Sequence, residues 1–153
     1  MTDAPRRRHL HPPVWMVLAV LLQLALHRWA PGPQLVPPAL RDLGLLPGFA
    51  GVGLIFWCLT LFVRRRTPIK PFTESTALIR EGPYRVSRNP IYLGLALVLC
   101  ASAAGLGSTT PWLPVAGFVA LIQQRFVRRE EDLLRARFGA EYEAFCGQVR
   151  RWL

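Results

Sequence analysis

Two polar segments in the second half of the chain carry side chains that could bind a ligand. The first, residues 76–94, includes Asn89-Pro90, which predicts a helix start because Asn is a good N-cap and Pro fits the first helical position. A helix start presents free N–H groups that attract anions, and Arg88 adds positive charge beside it. The pattern favours a carboxylate-bearing ligand, although a capped helix whose arginines contact lipid phosphate would have the same sequence.

The second segment, residues 125–139, has the pattern of a helix that ends at Gly139. It contains the adjacent acids Glu130 and Glu131, which point about 100° apart on a helix and so do not form a catalytic carboxylate pair. We expect one of them to face the neighbouring helices while the other faces water. The alternative is a solvated run of charges with pairs such as Glu131–Arg135.

The elements that position these segments are predicted from the distribution of charge. The chain has 19 Lys and Arg residues and 9 Asp and Glu residues, yet no charge lies between Asp42 and Arg64 or between Arg88 and Arg125. Such stretches are typical of transmembrane helices, which need about 20 apolar residues, and the turn at residues 105–111 divides the second one into a hairpin. We predict an all-α integral membrane domain over residues 1–153, with a cytoplasmic C-terminal helix and spans at about 14–29, 43–63, 91–106 and 112–126.

The Lys and Arg residues also predict the orientation. They concentrate in the N-terminus, in the loop 64–90 and in the C-terminal segment 125–153. By the positive-inside rule both termini and this loop are cytoplasmic, in a membrane of the bacterial inner-membrane type, and the proline-rich residues 31–41 form an external loop. The two polar segments then flank one hairpin on the same side of the membrane, so we expect them to be neighbours in space.

The same distribution argues against other classes of function. A net charge of +10 would suggest nucleic acid in a soluble protein, but basic loops beside apolar spans are expected to contact anionic membrane lipids instead. Cys58, Cys100 and Cys146 are far apart, and no Cys or His spacing indicates a metal site or a disulfide framework. We therefore predict structural thiols, no metal and no nucleic-acid partner, with the oligomeric state left open.

Taken together, the two segments resemble the membrane methyltransferases that include isoprenylcysteine carboxyl methyltransferase and phospholipid N-methyltransferase. The resemblance covers roughly residues 76–152, and it rests on the order and spacing of several short motifs around an uncharged hairpin. The motifs are Gly82-Pro83-Tyr84, Arg88-Asn89-Pro90-x-Tyr92-x-Gly94, Glu130-Glu131, Phe138-Gly139-x-x-Tyr142 and Val149-Arg150-Arg151-Trp152.

The resemblance implies S-adenosylmethionine as the cofactor, bound between the loop, the hairpin and the C-terminal helix. Isoprenylcysteine enzymes usually have His where this chain has Asn89, whereas Asn occurs in the phospholipid branch, and Asn cannot titrate near neutral pH. No acid–base role is therefore expected at that position. The cofactor-binding residues that the resemblance implies are Thr76, Ala77, Leu78, Ile79, Tyr84, Arg88, Asn89, Pro90, Tyr92 and Glu130.

The resulting hypothesis is methyl transfer to a lipid or lipophilic small molecule that arrives from the bilayer. Displacement at an activated sulfonium needs positioning and exclusion of water rather than a nucleophilic side chain. Arg125 or Arg128 could hold an anionic group of the acceptor, or could simply meet lipid head groups. The alternatives are a membrane sterol reductase and a non-enzymatic four-helix protein, either a transporter subunit or a scaffold. A transporter would place ionisable groups within its spans, which here are almost bare.

Overall fold

The computed structural model describes residues 10–66 and 77–153. Within these ranges the chain is helical, with no β-strand and two isolated bridges, so the prediction of an all-α fold is confirmed. The six α-helices of the described ranges are α1 (Pro12–Trp29), α2 (Leu46–Arg64), α3 (Pro90–Leu106), α4 (Trp112–Ile122), α5 (Arg128–Phe138) and α6 (Ala140–Gln148). Short 3-10 turns lie at Pro38–Leu40, Leu43–Leu45 and Gly82–Arg85.

The first four helices alternate in direction and give the molecule two polar ends. At one end, which we call the turn end, α1 finishes beside the α3–α4 connection, where His27 Nδ1 lies 2.8 Å from Ser108 Oγ. At the other, the site end, α2 finishes beside the loop that leads into α3, where Arg65 pairs with Glu81 at 2.8 Å. The predicted hairpin between α3 and α4 is confirmed.

Glycines on α2 allow its backbone to approach α3 closely. A Cβ atom added at Gly51 would lie 2.5 Å from the carbonyl oxygen of Gly94, and one added at Gly48 would lie 2.9 Å from the Cβ of Ala101. Gly53, on the same helix, would meet nothing within 4 Å. Of these three α2 glycines, Gly48 and Gly51 therefore lie against α3 and Gly53 does not.

At the turn end, backbone hydrogen bonds fasten the proline-rich loop to the α3–α4 connection. Leu35 and Val36 both donate their N–H to the carbonyl of Gly107, at 2.8 and 2.9 Å, and Thr109 donates to Pro33 at 3.0 Å. The prolines prevent this loop from forming a helix, so its backbone N–H and C=O groups need other partners. The bonds to the α3–α4 connection provide some of these partners. The predicted loop is thus an ordered cover on the hairpin rather than a loose connection.

α4 and α5 form one continuous helix that is interrupted by a single π-helical turn at Gln123–Val127. The helix ends at Gly139, whose φ of +49° lies in the left-handed region that glycine adopts at low cost. The predicted stop at Gly139 is confirmed, whereas the π turn was not predicted. Because the helix does not break after residue 126, α5 projects directly from the hairpin and its position is fixed by it.

Large apolar side chains lie both inside the bundle and on its outer surface. The main core joins α1, α3 and α4 around Leu99, Phe118 and Ile122. On the outside of α2, Phe49 is 72% exposed and Phe56 is 64% exposed. One segment, Leu43–Arg64, is long and apolar enough to cross a membrane, and α3 is apolar but shorter. The other three predicted spans are helices, and their crossing of a membrane stays a prediction.

Candidate functional site

The start of α3 lies at the centre of the site end. The helix begins at Pro90 as predicted, but the prediction that Asn89 caps it through its side chain is wrong. Asn89 instead donates its amide Nδ2 to the carbonyl of Arg151 at 3.1 Å, and its backbone N–H donates to Ser87 Oγ at 3.2 Å. The side chain of Asn89 is therefore hydrogen-bonded to the C-terminal segment and is not available to cap α3. This partner lies 62 residues further along the chain, so the local sequence does not predict it.

Tyr92 and Glu130, both implicated by the resemblance, are brought into direct contact. The Tyr92 hydroxyl, in the first turn of α3, donates to Glu130 Oε1, in the first turn of α5, at 2.6 Å. The ring of Phe126 packs beside Tyr92 with centroids 6.5 Å apart. Burial raises the pKa of Glu130 to about 7, while the hydrogen bond from Tyr92 opposes that rise. Glu130 is thus a carboxylate whose charge is costly unless a cation or a donor accompanies it.

Tyr84 forms the adjoining wall against the end of α2. Its ring meets Phe62 edge to face at 6.2 Å, and its hydroxyl shares a hydrogen bond with the thiol of Cys58. Burial raises the pKa of Tyr84 above its ordinary value, and the nearby Glu130 adds to the rise. Cys58 is fully buried, as predicted for a structural thiol, but its place beside Tyr84 could not be read from an apolar helix.

Glu131 lies in the interior rather than in water. Its side chain is only 6% exposed, and Arg151 donates Nε to Oε1 at 2.9 Å and Nη2 to Oε2 at 2.7 Å. The expectation that one of the two adjacent glutamates faces water is therefore wrong. The proposed helical pair with Arg135 is also wrong, because that arginine pairs with Asp132 and Glu143. A distant arginine decides the position of Glu131.

The C-terminal segment 149–152 ties the two polar segments together. Ser87 and Arg150 form a parallel bridge, and Arg88 donates its backbone N–H to the carbonyl of Arg150 at 3.0 Å. Further along, Trp152 donates Nε1 to Gln123 Oε1 in the π turn at 2.8 Å. The prediction that the two polar segments are neighbours in space is confirmed by the direct contacts of Tyr92 with Glu130 and of Arg88 with Glu131.

Arg88 is only partly satisfied by its surroundings. Its Nη1 contacts the thiol of Cys146 and lies 3.5 Å from Glu131 Oε1. Its Nε is buried and has no hydrogen-bond partner among the described residues. Arg88 and Arg151 share the single carboxylate of Glu131, so this buried cluster carries more positive than negative charge. Such a cluster is suited to an anionic group.

The remaining predicted site residues lie at the edge of this arrangement. Ile79 is buried and Leu78 packs on the small core formed by Tyr142 and its neighbours on α6, with Ala77 half-buried before them. Thr76 lies outside the described residues. Arg125 and Arg128 are exposed on the π turn and at the start of α5, apart from the buried cluster. Within the described ranges, no group of three or more residues could hold a metal ion.

Comparison with known proteins adds a family to this geometry. A phospholipid methyltransferase family model matches residues 41–141, about two thirds of the chain, which include α2, the α3–α4 hairpin and α5. An uncharacterized protein from Haemophilus influenzae (strain ATCC 51907 / DSM 11121 / KW20 / Rd) is 43% identical over 63 residues, which is 41% of this chain and 100% of that protein. No solved structure matches the chain.

Proposed function

Since the chain belongs to the phospholipid methyltransferase family, we propose that it is an S-adenosylmethionine-dependent methyltransferase that acts on a lipid or lipophilic acceptor at the cytoplasmic face of a membrane. The family implies methyltransferase activity in general. The cofactor, the acceptor and the membrane orientation are the parts that the proposal adds. The hydrogen bond between Tyr92 and the buried carboxylate of Glu130 is the observation that carries it.

The residues at the site end fit the chemistry of S-adenosylmethionine, which has a sulfonium and an ammonium group, a carboxylate and a nucleoside. The carboxylate of Glu130 lies between buried aromatic rings, where it gains most from a cationic or hydroxyl-bearing ligand. The unpaired Nε of Arg88 supplies a donor for a carboxylate at the start of α3. Glu130 thus offers a site for the cationic part of the cofactor and Arg88 a site for its carboxylate.

When bound, S-adenosylmethionine supplies a methyl group that is already activated by its sulfonium. The chain then needs to orient the two reactants and to exclude water, and the aromatic rings of Tyr84, Tyr92 and Phe126 provide a dry, rigid surround for the carboxylate of Glu130. No side chain of the site is required as a nucleophile. Thr76 to Ile79 are retained in the proposal as backbone contacts, with Ile79 and Leu78 held by packing.

The outer surface of the bundle supports a position inside a membrane. Large apolar side chains of α1 and α2 are exposed in numbers that a soluble surface rarely carries, including Leu21 at 55% and Phe56 at 64%. We propose that α1 to α4 all span the bilayer. The basic site end would then face the cytoplasm, and the turn end would face the opposite side.

The acceptor is proposed to reach the site from the bilayer. Arg125 and Arg128 are exposed at the site end, where the positive charges of both can meet an anionic head group. Methylation assays with membrane lipids as acceptors would distinguish a head group of the acceptor from one of the surrounding lipid. Membrane lipids are accordingly the first compounds to test once cofactor binding is established.

The experiment that tests the proposal is calorimetric titration of S-adenosylmethionine into detergent-purified protein. We expect saturable binding by the wild type and a loss of at least about tenfold in affinity for Glu130→Gln, because a charge-assisted contact is removed. Asp132→Asn is the matched control, since it removes the same charge from an exposed position of α5 and should leave affinity unchanged. A folded wild type that binds no S-adenosylmethionine would refute the proposal.

A further inference from the structure

The carboxylate of Glu131 is shared unequally by two arginines. Arg151 holds both of its oxygens, at 2.9 and 2.7 Å, in the forked geometry that suits a guanidinium and a carboxylate. Arg88 approaches the same group only through Nη1, at 3.5 Å from Oε1. Both oxygens already have close donors, so Arg88 keeps an ionic contact with Glu131 at 3.5 Å but makes no close hydrogen bond to it.

This inequality has a consequence for Arg88. Its side chain is 13% exposed, so little water reaches it, yet its Nε has no hydrogen-bond partner among the described residues. A guanidinium in that state gains strongly from a carboxylate. If Glu131 were free to turn fully toward Arg88, the two would form a closed pair, and an incoming carboxylate would find no unpaired cation.

We propose that Arg151 is a positioning residue that occupies both oxygens of Glu131 and thereby keeps Arg88 available for the carboxylate of the cofactor. The inference rests on the proposed function, and it concerns how the same site distinguishes ligands with a carboxylate from ligands without one. Arg151 itself touches no ligand in this arrangement. It acts through Glu131, whose Oε1 lies 2.9 Å from Arg151 Nε and 3.5 Å from Arg88 Nη1.

The backbone of the C-terminal segment separates this role from a general structural one. The bridge between Ser87 and Arg150 and the hydrogen bond from Asn89 to the carbonyl of Arg151 use main-chain atoms of the segment. The anchor of Trp152 on Gln123 lies one residue further along. None of these contacts uses the side chain of Arg151, so we expect the substitution to release Glu131 while the segment stays in place.

The test compares two ligands that differ only in the carboxylate, S-adenosylmethionine and decarboxylated S-adenosylmethionine, by calorimetry on the detergent-purified full chain. We expect the wild type to prefer the first by about tenfold or more. Arg151→Met keeps the length of the side chain and removes its donors. In that variant we expect the preference to fall below about threefold, because Glu131 then pairs with Arg88 and only the carboxylate-bearing ligand loses affinity.

Two further variants make the result specific. Arg150→Met removes the same charge from the adjacent, exposed position and should keep the wild-type preference. Glu131→Gln combined with Arg151→Met should restore the preference, because Arg88 then has no acidic side chain with which to form a closed pair. That rescue is not expected if Arg151 merely stabilises the fold.

Several outcomes would overturn the inference. If Arg151→Met keeps the wild-type preference, or loses both ligands to the same extent, Arg151 does not act through the availability of Arg88. If the double variant fails to regain the preference, Glu131 is not the link. Failure of the proposed function has a different signature, since the wild type would then bind neither ligand.

Discussion

The turn end and the site end of the bundle are held together by different kinds of contact. At the turn end, Gln23 donates Nε2 to the carbonyls of Leu99 and Pro111, at 3.0 and 3.1 Å, and backbone bonds attach the proline-rich loop. At the site end, the ion pair between the buried Glu131 and the partly exposed Arg151 joins α5 to the C-terminal segment. Among the described residues, no ion pair lies at the turn end.

Buried polar atoms without a hydrogen-bond partner are found in both regions of the molecule. Within the described ranges, Gln23 Oε1, Trp112 Nε1 and Arg41 Nε lack partners at the turn end just as Arg88 Nε does at the site end. They do not by themselves mark a site. What distinguishes the site end is that its unpaired atom belongs to a cation that forms an ion-pair cluster with Glu131 and Arg151. The residue that precedes Glu131 in the chain, Glu130, has a pKa that is raised by burial.

The largest effect is expected when a substitution disturbs the contact between α2 and α3, which supports both ends. Gly51→Ala would place a Cβ atom 2.5 Å from the carbonyl oxygen of Gly94, and because α3 runs from the site end to the turn end, both ends should loosen together. We expect a loss of about 1–3 kcal/mol in the free energy of unfolding, with weaker cofactor binding as well.

Gly53→Ala is the matched control for Gly51→Ala, since its Cβ would meet nothing within 4 Å and alanine favours the helix. Thermal unfolding in detergent, read by circular dichroism, measures both variants. Equal melting temperatures for the two would show that the close approach of α2 and α3 does not support either end.

The protonation of Glu130 should change cofactor affinity at the site end without any change at the turn end. Because burial raises its pKa to about 7, Glu130 is protonated below that pH and loses its attraction for a cationic cofactor. Affinity for S-adenosylmethionine should therefore fall about tenfold for each pH unit below 7 and level off above it. Calorimetry from about pH 5.5 to about pH 7.5 should give this slope for the wild type and a flat profile for Glu130→Gln. A wild-type profile without a slope would mean that Glu130 does not meet the cation.

Substitution at the turn end should give the smallest effect and leave the site alone. Gln23→Leu removes two hydrogen bonds from a fully buried side chain, for an expected loss of about 1 kcal/mol in stability. Affinity for S-adenosylmethionine should not change, because α3 remains held by α2. Urea or thermal unfolding measures the first quantity and calorimetry the second. A marked loss of affinity would show that the two ends are coupled.

The long-range organisation of the fold was accessible from sequence because it depends on charge and on helix breakers. Uncharged stretches fixed the positions of α2, α3 and α4, and the residues between Leu106 and Trp112 placed the hairpin turn. Helix boundaries differ from the prediction by a few residues, as at α2, where a 3-10 turn over Leu43–Leu45 precedes Leu46. Proximity of the two polar segments followed from that topology alone.

The detailed pairing at the site was not accessible, because each decisive partner is distant in sequence. Asn89 is a good N-cap in isolation, but Arg151 offers its carbonyl from 62 residues away. Glu131 has a nearby arginine at helical spacing, yet it pairs with Arg151, 20 residues further on. Glu130 and Tyr92 were named only through the resemblance, and no local pattern predicts their contact. Which partner wins at each position depends on how the C-terminal segment packs.

The π turn accommodates one more residue between α4 and α5 than an uninterrupted α-helix of the same length would contain. A π turn closes its hydrogen bond over five residues where an α turn uses four, so α5 follows α4 as if the chain were one residue shorter. An uninterrupted helix would bring Arg129 toward the interior where Glu130 now contacts Tyr92. Deletion of the exposed Gln124 should therefore convert the turn to α-helix and leave the glutamates facing the site, whereas deletion of Ala116 would rotate them by about 100°. A one-residue deletion should therefore preserve the orientation of the two glutamates when it falls in the π turn, shortly before them, and should change it when it falls earlier in α4.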